Sequence, residues 1–414
     1  MYYYTRRGRK LASFSPLPLP AAPEPGENEE VTFLIDCPPE ERRASFLAAD
    51  PRHLTAQHDG VEWLDSRRID APEPELPEWL ARRLKHGGLR AVNFRHPAWE
   101  RVAFGERRQP NRKRVNLLAV GDVGGTLLTA LKLLGGENIS TIGICDLSAA
   151  TVARWTAEMS QISWPWNYEA LPKVEPVAPE HLFECDVFLF AAAKAVPPVG
   201  SGVQDVRMAQ LAANRPLVES YARQARSAGF GGLFVVLSDP VDPLCRAAYR
   251  ASNAGPDGKW DGLGLLAEQI QGFGLGVMNA RAAALAQQDL RYLSFLSDGR
   301  SFGPHGEGLV IANSIKKYDD AISRELTEQV KTANLRIREL GFKPFVAPAV
   351  SSGAMQLLLA LRGQWHCGSV CLGGVWFGVR NRYTVNGLET ESLELPDELF
   401  ARLKETEAGL RAIE

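Results

Sequence analysis

The stretch VNLLAVGDVGGTLLTALKLLGG, residues 115–136, decides the fold. A short, continuously apolar run, VNLLAV, leads without a break into Gly121-Asp-Val-Gly124-Gly125, and a helical pattern follows. A strand that enters a glycine-rich turn at the start of a helix is the local design of a dinucleotide-binding fold. Gly121 lets the backbone approach a pyrophosphate, Gly124 lets the helix pack on the strand, and the helix N-terminus adds amides and dipole, with Val123 between the two glycines. The place of the first fingerprint glycine is taken by Ala119. On its own the motif is also compatible with a plain turn.

Context extends this reading on both sides. The next apolar run, TIGIC (141–145), ends in Asp146, about 20 residues past Gly124, where an acidic side chain meets ribose hydroxyls. A carboxylate there repels a 2′-phosphate, so NAD is favoured over NADP. The alternative role of Asp146 is to cap a helix beginning at Leu147. Further runs, DVFLFA (186–191) and LFVVL (233–237), are continuous rather than alternating, as in strands buried on both faces of a parallel sheet. Helical patterns lie between them. The expected fold is therefore α/β: a Rossmann-type doubly wound parallel sheet over 115–265, then an α+β substrate and catalytic domain over 266–414. That second domain contains an amphipathic helix over roughly 317–339, another around 353–362, strands within 368–385 and a last helix from Pro396.

Upstream, residues 105–114 (GERRQPNRKR) form a basic linker, with a solvated hinge as the plain alternative to an anion-binding role. Residues 1–104 form a small N-terminal module of unassigned role. Its proline- and glutamate-rich segment 15–30 is expected to be an extended arm that neither packs nor pairs in a sheet. Every cofactor motif follows the linker, so the chain from about residue 110 is expected to bind cofactor alone.

Composition limits the partners. With 47 basic and 49 acidic side chains the net charge is −2, so no global field favours nucleic acid or an anionic membrane. No apolar run approaches the about 20 residues of a membrane span, and MYYYTRRGRK has no signal-peptide core behind it. A cytoplasmic protein with a small-molecule partner is expected. The six cysteines, Cys37, Cys145, Cys185, Cys245, Cys367 and Cys371, are scattered, which favours reduced thiols. His366-Cys367 and Cys371 lack a second ligand pair, so no metal site is expected. Trp164 and Trp166 in SWPWNYEALP are expected to pack as a loop plug, with ligand stacking as the alternative.

Three later pieces carry a resemblance: Arg207 in DVRMAQLAAN, the strand end LSDPVDP (237–243), and Pro304-His305-Gly306-Glu307, with Arg281 in VMNARAAALA before it. In order and spacing, residues 115–414 resemble the lactate and malate dehydrogenase superfamily. The resemblance implies that His305 exchanges the proton, a task suited to an imidazole titrating near neutrality. It implies that Arg281 grips a substrate carboxylate, that Arg207 on a closing loop polarises the reacting carbonyl, and that Asn214 and Ser238 lie by the cofactor. It further implies a homodimer or homotetramer. Without the resemblance, each of these residues has an ordinary structural reading: a turn histidine, surface arginines, or packing polar groups.

Departures qualify the resemblance. Where the family has the aspartate that orients the histidine, this chain has Met278, and where the family has asparagine after the strand-end serine, it has Asp239. Asp239 restores a carboxylate and is a candidate partner for His305; Glu307 is another. The loop AAAKAVPPVGSGVQDVR has no arginine before Arg207, which disfavours a dicarboxylate substrate, although Lys194 is a possible point charge. Pro344 stands in the expected pocket wall. The implied activity is an NAD-dependent interconversion of a 2-hydroxy acid and a 2-oxo acid. Its rivals are a non-catalytic NAD-binding sensor or scaffold and an enzyme for an unusual, amine-bearing substrate.

Overall fold

The computed structural model describes residues 1–26, 29–105, 111–194 and 206–413. The N-terminal module is a five-stranded sheet of β1 (Tyr2–Arg6), β2 (Arg9–Ser13), β3 (Val31–Ile35), β4 (Ser45–Ala48) and β5 (Leu89–Asn93), in the order β1-β2-β3-β5-β4. Arg7 and Gly8, both at positive φ, close the β1–β2 hairpin. The proline-rich arm departs from expectation. Ala22 N–H donates to the Tyr3 carbonyl (2.9 Å) and Thr5 N–H to the Pro20 carbonyl (3.1 Å), so the arm bonds the outer edge of β1. Proline lacks a donor but keeps its acceptor, and Ala22, between Pro20 and Pro23, supplies the N–H.

A nine-stranded sheet forms the body. Its parallel part comprises β6 (Lys113–Leu118), β7 (Ile139–Cys145), β8 (Lys173–Pro176), β9 (Val187–Phe190), β10 (Leu233–Val236) and β11 (Ile270–Gly272), in the order β8-β7-β6-β9-β10-β11. A two-stranded ribbon, β12 (Arg300–Phe302) and β13 (Val310–Ala312), stands apart from it. Then β14 (His366–Leu372), β15 (Val375–Thr384) and β16 (Gly387–Thr390) extend the large sheet antiparallel beyond β11. The sheet thus runs across residue 265, and β6 already begins at Lys113.

Strand residues alternate between two cores. Phe188, Phe190, Phe234 and Val236 pack with the Val206–Ser227 and Val241–Ser252 helices. Leu117, Val187, Leu189 and Val235 pack with the Asp122–Leu134 and Met355–Leu361 helices on the other face. This is the doubly wound arrangement. The chain leaves β6 towards β7 and β8, then returns to β9 on the opposite side, which opens a crevice at the carboxyl ends of β6 and β9.

The N-terminal module is not tethered loosely. The buried Glu268 carboxylate, just before β11, accepts from Ala44 N (3.0 Å), Ser45 N (2.8 Å) and Ser45 Oγ (2.7 Å), and burial pushes its pKa up. Val61 and Leu64 share one core with Phe302, Val370, Phe377 and Leu399. Asp59, ion-paired to the equally buried Arg43 at 3.0 Å, also accepts from Gly373 N at 3.0 Å. This packing argues against the expectation that the chain from about residue 110 binds cofactor alone.

Candidate active site

β6 ends at Leu118, and the turn that follows reaches the crevice. Ala119 sits at φ 72°, a left-handed conformation that costs a non-glycine residue about 1 kcal/mol or more. Ala119→Gly is therefore expected to stabilise the chain by roughly 1 kcal/mol, read as a higher melting temperature. Gly121 caps the Asp122–Leu134 helix with open space beside it. A Cβ on Gly124 would lie 2.0 Å from the Ala119 carbonyl oxygen, so only glycine permits this approach of helix to strand end. Val123, half-buried, packs on the core beneath. The residues present fit a pyrophosphate, because the first-turn amides of a helix have no partner within it and Gly121 leaves room for an anion.

Asp146 lies at the end of β7. Its Oδ2 accepts from Val120 N and its Oδ1 from Ser148 N, both at 3.0 Å, which ties the glycine turn to the neighbouring strand end. The next helix begins at Ala149 and its cap is Ser148, which accepts from Thr151 N at 3.2 Å; the reading of Asp146 as cap of a helix beginning at Leu147 is corrected. Asp146 also lines an open cleft of about 580 Å³ with Cys145, Val152 and Pro176.

His305 stands in the loop between β12 and β13. Its Nδ1 is 3.1 Å from Asp239 Oδ1, with the imidazole 18% and the carboxylate 47% exposed. Asp239 lies three residues beyond the end of β10. It is fixed by Asn214, whose Nδ2 donates to the Asp239 carbonyl (2.7 Å) while its Oδ1 accepts from Lys194 N (2.8 Å). Ser238 Oγ donates to the Ala192 carbonyl at 2.7 Å. The buried polar atoms of Asn214 and Ser238 thus hold together the loops that leave β9 and β10. A Cβ on Gly274 would come within 2.8 Å of His305 Cβ, so the start of the Leu275–Ala286 helix supports the histidine closely.

That helix carries Met278 and Arg281. Met278 is buried in an apolar cluster with Leu275, Val277 and Leu309. Arg281 Nη1 donates to the Val330 carbonyl at 3.2 Å and lies 3.8 Å from Met278 Sδ, and burial lowers the guanidinium pKa. Among the described residues no carboxylate forms an ion pair with it. Glu307 does not serve His305. It pairs at 2.9 Å with Lys331, its side chain 83% exposed, which corrects that candidate. The Arg207 side chain and the loop 195–205 lie outside the described residues, although the Val206–Ser227 helix includes the Arg207 backbone.

Two remaining candidates sit in contrasting surroundings. Trp164 and Trp166 are 61% and 91% exposed, so they plug nothing: the aromatic side chains of the 163–170 loop face solvent. His366 lies in β14 with Nε2 3.3 Å from Gln271 Oε1, and among the described residues no group of three metal-ligating side chains occurs.

No protein-family model matches the chain, and no curated protein matches it by sequence. Solved structures do match. The minor L-lactate dehydrogenase of Enterococcus mundtii superposes with a TM-score of 0.59 at 18% identity, covering 73% of this chain and 98% of that one. The malate dehydrogenase of Archaeoglobus fulgidus, solved in complex with NADH, gives 0.56 at 17% identity over 72% and 97% of the two chains. That of Cryptosporidium parvum gives 0.56 at 17% identity over 73% and 98%. With its parallel six-strand order and the crevice beside the glycine turn, the protein has the fold of the lactate and malate dehydrogenases, enlarged by additional N-terminal strands.

Proposed function

We propose that the protein is an NAD-dependent oxidoreductase interconverting a 2-hydroxy acid and a 2-oxo acid. The observation that carries this reading is the contact between His305 Nδ1 and Asp239 Oδ1 at the carboxyl end of β10, on the crevice that the glycine turn borders. Bound NADH supplies the hydride. Gly121, Val123 and Gly124 present the helix start to the pyrophosphate, and Asp146 takes the ribose hydroxyls. With Nδ1 donating to Asp239, the transferable proton sits on His305 Nε2 and passes to the carbonyl oxygen of the 2-oxo acid as that carbon is reduced. Asp239 stabilises the imidazolium, a part played by an aspartate at the position of Met278 in the related family. Arg281, half-buried without a carboxylate partner among the described residues, pairs with the substrate carboxylate, and Arg207 polarises the carbonyl. Asn214 and Ser238 keep the loops flanking the nicotinamide in place.

The same proposal includes a cytoplasmic homodimer or homotetramer, which light scattering at micromolar concentration would contradict by showing only monomer. Among the described residues no helix is long and apolar enough to cross a membrane. Cofactor choice tests the reading at its base. NADH is expected to bind at least about tenfold tighter than NADPH, and Asp146→Ala to narrow that gap, because the carboxylate repels a 2′-phosphate. Equal affinities in the wild type would remove the assignment. One observation favours a second reading, a non-catalytic NAD-binding sensor: Met278 is sealed in an apolar cluster and Arg281 already donates to a main-chain carbonyl. Binding of NADH without turnover of any 2-oxo acid would select it.

A further inference from the structure

The helix that would receive the pyrophosphate begins with a carboxylate. Asp122 occupies its first turn, next to Gly121, and its Oδ2 pairs with Lys343 Nζ at 2.9 Å. Lys343 comes from the turn that follows the long Asp320–Glu339 helix. The same helix gives the Val330 carbonyl to Arg281 and Lys331 to Glu307, two residues from His305. One continuous segment thus touches the proposed substrate arginine, the histidine loop and the phosphate turn.

Stability does not explain this ion pair. Its partners are 52% and 80% exposed, and surface pairs of this kind contribute only about 0–1 kcal/mol. Charge balance at the phosphate turn is the stronger account. An anion brought to this helix start meets the Asp122 carboxylate in the same first turn, and like charges a few ångströms apart repel by about 1 kcal/mol or more. An ammonium on a flexible four-carbon stem, with three donors, can serve a carboxylate and a phosphate together.

We infer that Lys343 is a cofactor-binding residue: paired with Asp122 at the phosphate turn, it also pairs with the dinucleotide's pyrophosphate, for which the Asp122 carboxylate competes. This rests on the dinucleotide site proposed above. It also makes the 340–346 turn, which includes Pro344, a part of the cofactor site, so that pyrophosphate binding draws the turn against the helix start.

The test is the affinity of the full chain for NADH and for ADP-ribose, measured by calorimetry, in wild type, Lys343→Met, Lys343→Arg and Asp122→Asn. Lys343→Met is expected to weaken both ligands about tenfold, the worth of one charge-assisted hydrogen bond, and to flatten the loss of affinity with added salt. Lys343→Arg should stay within about threefold of wild type, because the charge is kept. Asp122→Asn should tighten both ligands about threefold by removing the repulsion. The exposure of both side chains leaves folding intact in every variant. If wild type binds both ligands and Lys343→Met binds them equally well, or Asp122→Asn binds them more weakly, the inference is overturned while the dinucleotide site stands. If wild type binds neither, both are overturned.

Discussion

Asp239→Asn is expected to lower turnover of a 2-oxo acid by about 10²- to 10⁴-fold, with NADH affinity nearly unchanged. The substitution keeps the side-chain shape and removes the charge that faces His305 Nδ1 at 3.1 Å. An imidazolium forms only as the proton is exchanged, so its stabilisation appears in kcat rather than in ground-state binding. Combining Asp239→Asn with Met278→Asp is expected to recover part of the loss by offering a carboxylate from the helix. The recovery is incomplete because Met278 Sδ lies 3.8 Å from Arg281 Nη1, and a carboxylate there also competes for that guanidinium. Steady-state NADH oxidation of the three proteins decides the matter. An Asp239→Asn variant with wild-type kcat would show that the pair has no part in proton transfer.

Removing residues 1–104 is expected to destroy cooperative folding. The deletion takes Val61 and Leu64 out of the core that contains Val370, Phe377 and Leu399, and burial of each such side chain contributes about 1.5–3 kcal/mol. It also strips the buried Glu268 carboxylate of all three donors from Ala44 and Ser45, which exposes a polar group within an apolar surface. These losses approach the net stability of a domain, about 5–15 kcal/mol. The shortened chain should therefore be aggregated or lack a sharp thermal transition. A soluble, monodisperse product melting within a few degrees of the full chain would contradict the docking described here.

The parallel sheet was legible where strands are long enough to be read from composition. β6, β7, β9 and β10 each carry a continuous apolar run, as strands covered on both faces must. β8 and β11 escaped notice. The first is a four-residue edge strand, KVEP, and the second is three residues, IQG, so neither has a period to detect. The exposure of Trp164 and Trp166 was misread because large aromatics are buried on average, and nothing local says where a loop stands relative to the body.

The close approach at Gly124 and the place of Asp146 at the end of β7 were legible because a helix that packs on its strand and a carboxylate at the next strand end obey fixed spacings. The pairing of Asp239 with His305 was one of two candidates, and Glu307 was eliminated only by its ion pair with Lys331, a residue on another element. Lys343 and Asp122 are 221 residues apart, and no local pattern brings them together. The same holds for Arg281 and the Val330 carbonyl: tertiary packing alone makes that contact.

The role proposed for His305 is to carry the proton in a hydride transfer supported by this crevice. Its most direct test is NADH oxidation by wild type and His305→Ala across a panel of 2-oxo acids at saturating cofactor. Wild type is expected to turn over at least one 2-oxo acid, with a fall of about 10²-fold or more in His305→Ala at unchanged NADH affinity. Wild-type turnover that survives His305→Ala undiminished would contradict it.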